Sequence, residues 1–358
     1  MRNKPHFTVF KEVVGRPVAL IALAVLGILY AMAICAPFMA PYHYDDEDAL
    51  SSYAPPSKIH FFNPKEKTWG PHIYAQKYEV DQYYRRVYAE DTSRIYPVSF
   101  FARGFEYKIL GLWKCDRHLF GADGARLYLL GADIKGRDIF SRVIYGSRIS
   151  LSIGFIGAFI SLVIGLLVGG IAGYYGGRLD SFLRQVCEMF MNAPAFYLML
   201  ALRAAFPPNI SSEQVYILMV VIMALISWAY TAMIIRALVM SLREQDFVYA
   251  AKACGLSDMR IILKHLIPHT YSYAIVSVVL SVPGYILTES VFSMLGLGIQ
   301  EPSASWGNML EPAMGIVNIR LYPWILVPGI FIVITAVCFN LLGDRLRDVL
   351  DPKRQILR

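Results

Sequence analysis

An all-α polytopic membrane protein with six transmembrane helices, and one large extracytoplasmic segment after the first, is the fold class this 358-residue sequence predicts. With 56% hydrophobic and only 17% charged residues, the chain is too apolar for ordinary soluble domains. Six apolar runs of about bilayer-spanning length lie near 17–36, 149–174, 181–206, 214–235, 271–296 and 323–341. The basic residues behind the net charge of +7 gather beside these runs, as the positive-inside rule requires, which argues against a nucleic-acid partner and for contact with membrane lipid. Five cysteines, at 35, 115, 187, 254 and 338, include no CxxC pair, so neither a zinc site nor a disulfide framework is indicated.

Arg2, Lys4, Lys11 and Arg16 precede the first run. A secretory signal has an apolar core of about 7 to 15 residues, whereas this run reaches the ~20 that a bilayer needs. It is expected to remain as a first helix, 17–36, behind a cytoplasmic N-terminus, 1–16. Residues 37–148 form the large polar segment, expected outside. Its acidic run at 45–48 lacks EF-hand spacing and reads as solvated acids rather than a calcium site. Aromatics dominate its middle: Trp69, Tyr74, Tyr78, Tyr83, Tyr84, Tyr88, Tyr96, Phe100, Phe101, Phe105, Tyr107 and Trp113. Disordered linkers are poor in such residues, so a small ordered subdomain is expected there, either docking an external partner protein or acting as a structural lid.

The stretch 139–150 reads as an amphipathic helix on the outer face, with Arg142 and Arg148 snorkelling to headgroups. The second span then carries Gly157, Ser161, Gly165, Gly169, Gly173 and Gly177 at a four-residue step. Small residues at that step permit close helix approach in lipid. Each step drifts by about 40° on a 3.6-residue helix, so the row winds, meeting one neighbour at a right-handed crossing or two in turn. The third span holds Glu188 and Asn192 with Pro194 just beyond, and 207–209 makes a brief outer turn. The fifth span holds Pro283 and Glu289. Polar groups in a membrane are costly unless they face a bundle interior or water. Glu188, Asn192 and Glu289 are therefore translocation-path candidates, with an interior structural role as the alternative.

Between the fourth and fifth spans lies an inner loop, 237–270. Arg236, Arg243, Lys252, Arg260 and Lys264 outnumber its acids, which places it inside. Phe247, Ala250, Ala251 and Cys254 recur at helical spacing, Gly255 suits the left-handed end of a helix, and Ser257 suits the cap of the next. Met259, Ile262, Leu263, Leu266 and Ile267 form an apolar stripe on that second helix until Pro268, which discourages continuation. Ala250, Ala251, Ala253 and Gly255 leave the hinge bare enough for another protein to approach. A plain amphipathic hairpin joining two spans is the other reading.

Residues 249–268 resemble the cytoplasmic coupling loop of ABC importer permeases, whose pattern is Glu-Ala-Ala, three residues, Gly, nine residues, then Ile-x-Leu-Pro. Ala250, Ala251, Gly255 and Pro268 fall on the family positions, while Tyr249 replaces the Glu, His265 the first Ile and Ile267 the Leu. The run LGADIKGRD at 130–138 is similar to the Leu-Gly-Thr-Asp-x-x-Gly-Arg-Asp signature of the peptide and nickel branch, with Ala132 in place of Thr. The runs 295–310 and 340–353 resemble the same branch. Together they identify the chain as similar to the C-type permease subunit of oligopeptide, dipeptide and nickel importers, over about 130–353 and the first span.

That resemblance implies the ABC type I importer permease fold, with a core over 149–343 and a cytoplasmic tail over 344–358. It implies a non-catalytic subunit of the bacterial inner membrane, both termini cytoplasmic, that forms half of the path for peptides. The partners implied are a second, B-type permease subunit, two ATPase subunits that bind ATP and Mg, and an extracytoplasmic solute-binding protein. Coupling to the ATPase would run through 246–268, with Tyr249, Ala250, Ala251, Gly255, Leu256, Ser257 and Pro268 at the interface. With Tyr249 in place of the Glu, either the ATPase would compensate for the missing carboxylate, or Arg243, Glu244 and Asp246 would supply a polar group one turn earlier. Oligopeptides, dipeptides, nickel chelates and oligosaccharides all fit the branch as cargo.

The chain carries no GxxxxGK[ST] phosphate loop, HExxH zinc pair or GxSxG elbow, so neither catalysis nor a bound cofactor or metal is expected of it. The rival reading is an ion-coupled secondary transporter using Glu188 and Glu289 as a proton relay, which no inverted repeat supports. A membrane enzyme or assembly scaffold is a third, and the missing catalytic constellation argues against the enzyme.

Overall fold

The computed structural model describes residues 11–63, 68–109, 113–207 and 210–350. Arg2, Lys4, part of the outer turn at 208–209 and the tail beyond residue 350 lie outside them. The helices that position the site are α1 (Pro17–Ile34), α2 (Ile139–Tyr175), α3 (Gly177–Asn192), α4 (Ala195–Ala204), α5 (Ser212–Leu242), α6 (Asp246–Ala253), α7 (Asp258–Ile261), α8 (Ile267–His269), α9 (Tyr271–Met294) and α10 (Val327–Leu350). Among the described residues, five helices are long and apolar enough to cross a membrane: α1, α2, α5, α9 and the stretch Pro323–Leu350 that contains α10.

The third expected span is not one helix. It breaks between α3 and α4, because Pro194 has no N–H to continue the ladder and forces Ala193 into an extended conformation (φ −65°, ψ 135°). The amphipathic surface helix expected at 139–150 is not separate either. It is the first part of α2, whose 37 residues reach about 55 Å against a hydrocarbon core of about 30 Å. Arg142 does not snorkel; it is buried, and its Nη1 donates to the Tyr44 carbonyl at 3.1 Å. Arg148 donates from Nε to the Ala33 carbonyl at 2.6 Å and from Nη2 to the Ile34 carbonyl at 3.0 Å, satisfying the open carbonyl end of α1.

The chain forms two compact units, one of Met1–Gly27, Leu151–Glu289 and Ile334–Arg358, the other of Ile28–Ser150 and Ser290–Val333. In the first, the small-residue row of α2 changes partner along its length. A Cβ at Gly157 would come within 2.7 Å of Tyr285 on α9, and one at Gly165 within 2.7 Å of Thr231 on α5. Gly169 faces Ala232 and Ile235, and Gly173 faces Arg236 and Val239, all on α5. At the changeover, the Ser161 hydroxyl donates to the Ala224 carbonyl at 3.0 Å and shares a 2.5 Å hydrogen bond with the Tyr285 hydroxyl. Gly177 falls off the row, because Gly176 and Gly177 take positive φ (67° and 59°) to turn the chain into α3. α5 starts at a capping box formed by Ser211 and Gln214, and its Arg236 grips Asp180 of α3 through both carboxylate oxygens.

In the second unit the helical class stops at the insert, which is built of strands. β1 (His60–Asn63), β2 (Thr68–Val80), β3 (Arg86–Phe100) and β6 (Phe120–Ala122) form one antiparallel sheet in the order β1-β2-β3-β6, while β4 (Arg103–Ile109) pairs with β5 (Trp113–Arg117). Aromatic and β-branched side chains suit a pleated surface, which is why the aromatic-rich segment pairs this way. The β2–β3 hairpin closes through Asp81, whose Oδ1 accepts from the Tyr83 N–H at 2.8 Å and the Arg85 N–H at 2.9 Å. Tyr78 then faces Tyr88 in the ladder, their ring centroids 5.8 Å apart.

Candidate functional site

The 237–270 loop folds as the hairpin α6–α8, and its hinge is a Schellman turn. Gly255 takes φ +76°, its N–H bonds to the Lys252 carbonyl at 2.9 Å, and the Leu256 N–H reaches back to the Ala251 carbonyl at 3.2 Å. Ser257 has the extended backbone of an N-cap, but its hydroxyl makes no capping bond. The apolar stripe differs from the predicted one. The buried set is Ile261, Ile262, Leu266 and Ile267, while Met259 and Leu263 are exposed. The cause is a π-helical turn over Ile262–Leu266, whose wider repeat rotates the later residues relative to a 3.6-residue helix. Pro268 does not stop the chain either. It sits in the first turn of α8, where its missing N–H has no bond to lose, and α9 starts three residues later.

One face of the hairpin is locked into the first unit. Val248, Ala251, Ile261, Ile262, Leu266 and Ile267 form a buried cluster with Tyr174 of α2 and Ile235 and Val239 of α5. Ala251 therefore belongs to the packed face, not the bare one. Leu256 and Pro268 are half-buried, and Tyr249, Ala250, Ala253, Cys254, Gly255 and Ser257 are exposed. Polar ties reinforce the seat: the Tyr174 hydroxyl donates to Asp258 at 2.6 Å, and the Lys252 ammonium lies 5.0 Å over the Tyr174 ring. At the corner between α5 and α6, the Glu244 carboxylate accepts from the Tyr249 hydroxyl and from the Arg243 Nε, both at 2.9 Å.

The same unit holds a cavity of about 1110 Å³ between α2, α5 and α9, with α3 and α4 on one side. Hydroxyls line it: Ser161 from α2, Ser227, Tyr230 and Thr231 from α5, and Tyr273, Ser277, Ser281, Tyr285 and Thr288 from α9. His269 and Arg347 are the basic residues among its described walls, and no carboxylate lines it among the described residues. Glu188, Asn192 and Glu289 are not in its walls. Glu188 pairs with Arg184 at 2.6 Å, Asn192 is exposed, and Glu289 is fully buried. The structure does not bring the three together. A signal for the cavity existed in the sequence, since the α9 hydroxyls recur at steps of four, four, four and three. Pro283 lies inside α9 without ending it.

In the second unit the signature runs 130–138 and 295–310 form one ionic site. Arg137 is buried, and its Nε donates to Asp133 at 2.8 Å while Nη2 reaches both Asp133 and Glu301. Lys135 adds ion pairs to Glu301 at 2.6 Å and to Glu47 at 3.0 Å. Burial alone would raise the Glu301 pKa, but Arg137 and Lys135 outweigh it and hold the carboxyl down at about 2. Trp306, in the second of these runs, is fully buried, its indole N–H donating to the Val143 carbonyl at 3.0 Å. Within the acidic run at 45–48, Asp46 and Asp48 pair with Arg126 at 3.0 and 3.7 Å and Glu47 with Lys135 at 3.0 Å.

Residues 139–356 match the family model described as "Binding-protein-dependent transport system inner membrane component". The chain belongs to that family. Residues 9–56 match a second model, "N-terminal TM domain of oligopeptide transport permease C". The permease is 41% identical over 227 residues to the oligopeptide transport system permease protein OppC of Haemophilus influenzae, covering 63% of this chain and 70% of that protein. It is 38% identical over 223 residues to the dipeptide transport system permease protein DppC of Bacillus subtilis, covering 62% and 68%. Against the oligopeptide transport system permease protein OppC of Bacillus subtilis the identity is 29% over 356 residues, 98% of this chain and 92% of that one. This chain is thus a multi-pass membrane permease of the OppC/DppC type, and its relatives are transport permeases.

Proposed function

We propose that this permease forms half of a path for peptides in an ATP-driven importer, moved by ATPase subunits that grip the α6–α8 hairpin. The observation that carries this reading is the hairpin's two-sidedness. One face is cemented into α2 and α5 by the apolar cluster, so a push on it moves the bundle, while the other face is bare around a left-handed glycine. ATP and Mg are bound by the partner subunits, and this chain contributes no catalysis. A second, B-type permease subunit completes the path over the 149–343 core, and an extracytoplasmic solute-binding protein delivers the cargo.

Peptide cargo is supported by the relatives' names and by the cavity, whose volume is above the usual range for a drug-sized ligand site. Hydroxyl walls offer donors and acceptors to amide backbones without demanding a charge. A proton relay needs acids in the path, and Glu188 and Glu289 lie outside the cavity walls, which disfavours ion-coupled transport. The insert presents exposed aromatics such as Trp69 (82% exposed) and Tyr84 (93%), a surface suited to a partner protein. The basic residues of the 237–270 loop and of the tail support a cytoplasmic location for both termini, in a bacterial inner membrane.

Purification tests the reading. Co-isolation of the chain with ATPase subunits and vanadate-sensitive peptide uptake are expected. Uptake by this chain alone, driven by a proton gradient, would overturn it.

A further inference from the structure

We propose that the Glu244 carboxylate is the hairpin's docking anion for a cationic side chain of the ATPase subunit, held ready by Tyr249 and Arg243. The proposal rests on the coupling reading above and names the contact through which it acts. Glu244 sits in the corner between α5 and α6, with 60% of its side chain exposed. A free glutamate on a surface loses rotamer freedom when a partner orders it. Here the ordering is already done: the Tyr249 hydroxyl holds Oε2 and the Arg243 Nε holds Oε1, each at 2.9 Å.

Each carboxylate oxygen has two lone pairs, so both keep one for an incoming donor. The same two donors lower the Glu244 pKa, Tyr249 first and Arg243 second, so the group is ionised at neutral pH. Arg243 pairs with the carboxylate through Nε alone, and its Nη1 is turned to the carbonyls of Gly173 (3.3 Å) and Tyr174 (3.4 Å) at the end of α2. On the other arm of the hairpin, Asp258 is engaged by Tyr174.

Tyr249 stands where the coupling-loop pattern has glutamate. Its ring carries a hydroxyl rather than a charge, and that hydroxyl meets a carboxylate five residues earlier in the chain. The corner thus keeps a fixed carboxylate, supplied by another residue. A pull on Glu244 is also relayed by Arg243 to the last carbonyls of α2, the helix whose small-residue row borders the cavity wall.

The test uses the complex of this chain with its ATPase subunits, extracted from membranes and washed at increasing salt, with peptide uptake measured alongside. Glu244→Gln should weaken ATPase retention about tenfold, as removal of a charge-assisted hydrogen bond does, and flatten its salt dependence. Tyr249→Phe should produce a smaller loss of the same kind, since the carboxylate remains but is no longer held. The pair Tyr249→Glu with Glu244→Gln should restore retention, because the anion returns to the corner; a purely structural role for Tyr249 would not be rescued this way. Wild-type retention and salt dependence in both Glu244→Gln and Tyr249→Phe would overturn the proposal. If the unmodified chain retains no ATPase subunit at any salt, the coupling reading itself falls, an outcome distinct from a difference between variants.

Discussion

Gly255 and Asp138 show how one residue's environment sets what it tolerates. A Cβ at Gly255 would meet nothing within 4 Å, so crowding is not what reserves the position for glycine. The φ of +76° is, and a β-branched residue there costs about 1 to 3 kcal/mol unless the turn opens. Gly255→Val should leave the permease in the membrane at near-normal level while ATP hydrolysis loses its link to uptake. Gly255→Asn, which tolerates this conformation, should retain most of the coupling. Normal uptake in the valine variant would count against a rigid hinge.

Asp138 caps α2, its Oδ2 accepting from the Ser141 N–H at 2.8 Å and hydroxyl at 2.6 Å. Burial raises its pKa to about 6, against the lowering effect of Ser141. The folded state therefore holds this proton more tightly than the unfolded chain, and stability should fall as pH rises from about 4 to about 6. Thermal unfolding of the detergent-solubilised protein across that window should show a slope that Asp138→Asn removes, since the amide keeps an acceptor for Ser141 without a charge.

At the scale of elements, α2 is the organising helix because its small residues let two neighbours approach in turn. A side chain at Gly169 would run into the Ala232 carbonyl and the Ile235 side chain. Gly169→Leu should destabilise the permease by about 1 to 3 kcal/mol through overpacking. Gly27→Leu on α1, where nothing lies within 4 Å, is the matched control and should be nearly silent. Equal thermal shifts for the two variants would argue that the row is not a packing device. The α3–α4 break and the π-turn of the hairpin teach a common lesson. Each keeps an apolar segment from being one straight helix, the first by a proline that the sequence shows, the second by a change of helical repeat that it does not.

At the scale of the molecule, a helical membrane part carries a β-sheet insert. Replacing residues 60–122 by a short linker should leave membrane insertion and ATPase retention intact but abolish uptake that depends on the external solute-binding protein. Undiminished uptake at limiting binding protein would instead make the insert a structural lid. The two signature runs, 130–138 and 295–310, look independent in the sequence and form one ionic site around Arg137 and Glu301.

The sequence by itself determined the membrane class, five of the six expected spans, the hairpin with its glycine hinge and the membership of a permease family. Those follow from apolar run length, charge placement and local motif spacing, all of which are properties of neighbouring residues. Only the tertiary structure decided which face of the hairpin is packed, that Ala251 is on it, that hydroxyls rather than Glu188, Asn192 and Glu289 line the cavity, and that Tyr249 holds Glu244. Such facts depend on how helices rotate and which distant residues meet: the π-turn over Ile262–Leu266 changes the helical repeat, and Leu263 inside it is exposed while Ile262 and Leu266 are buried.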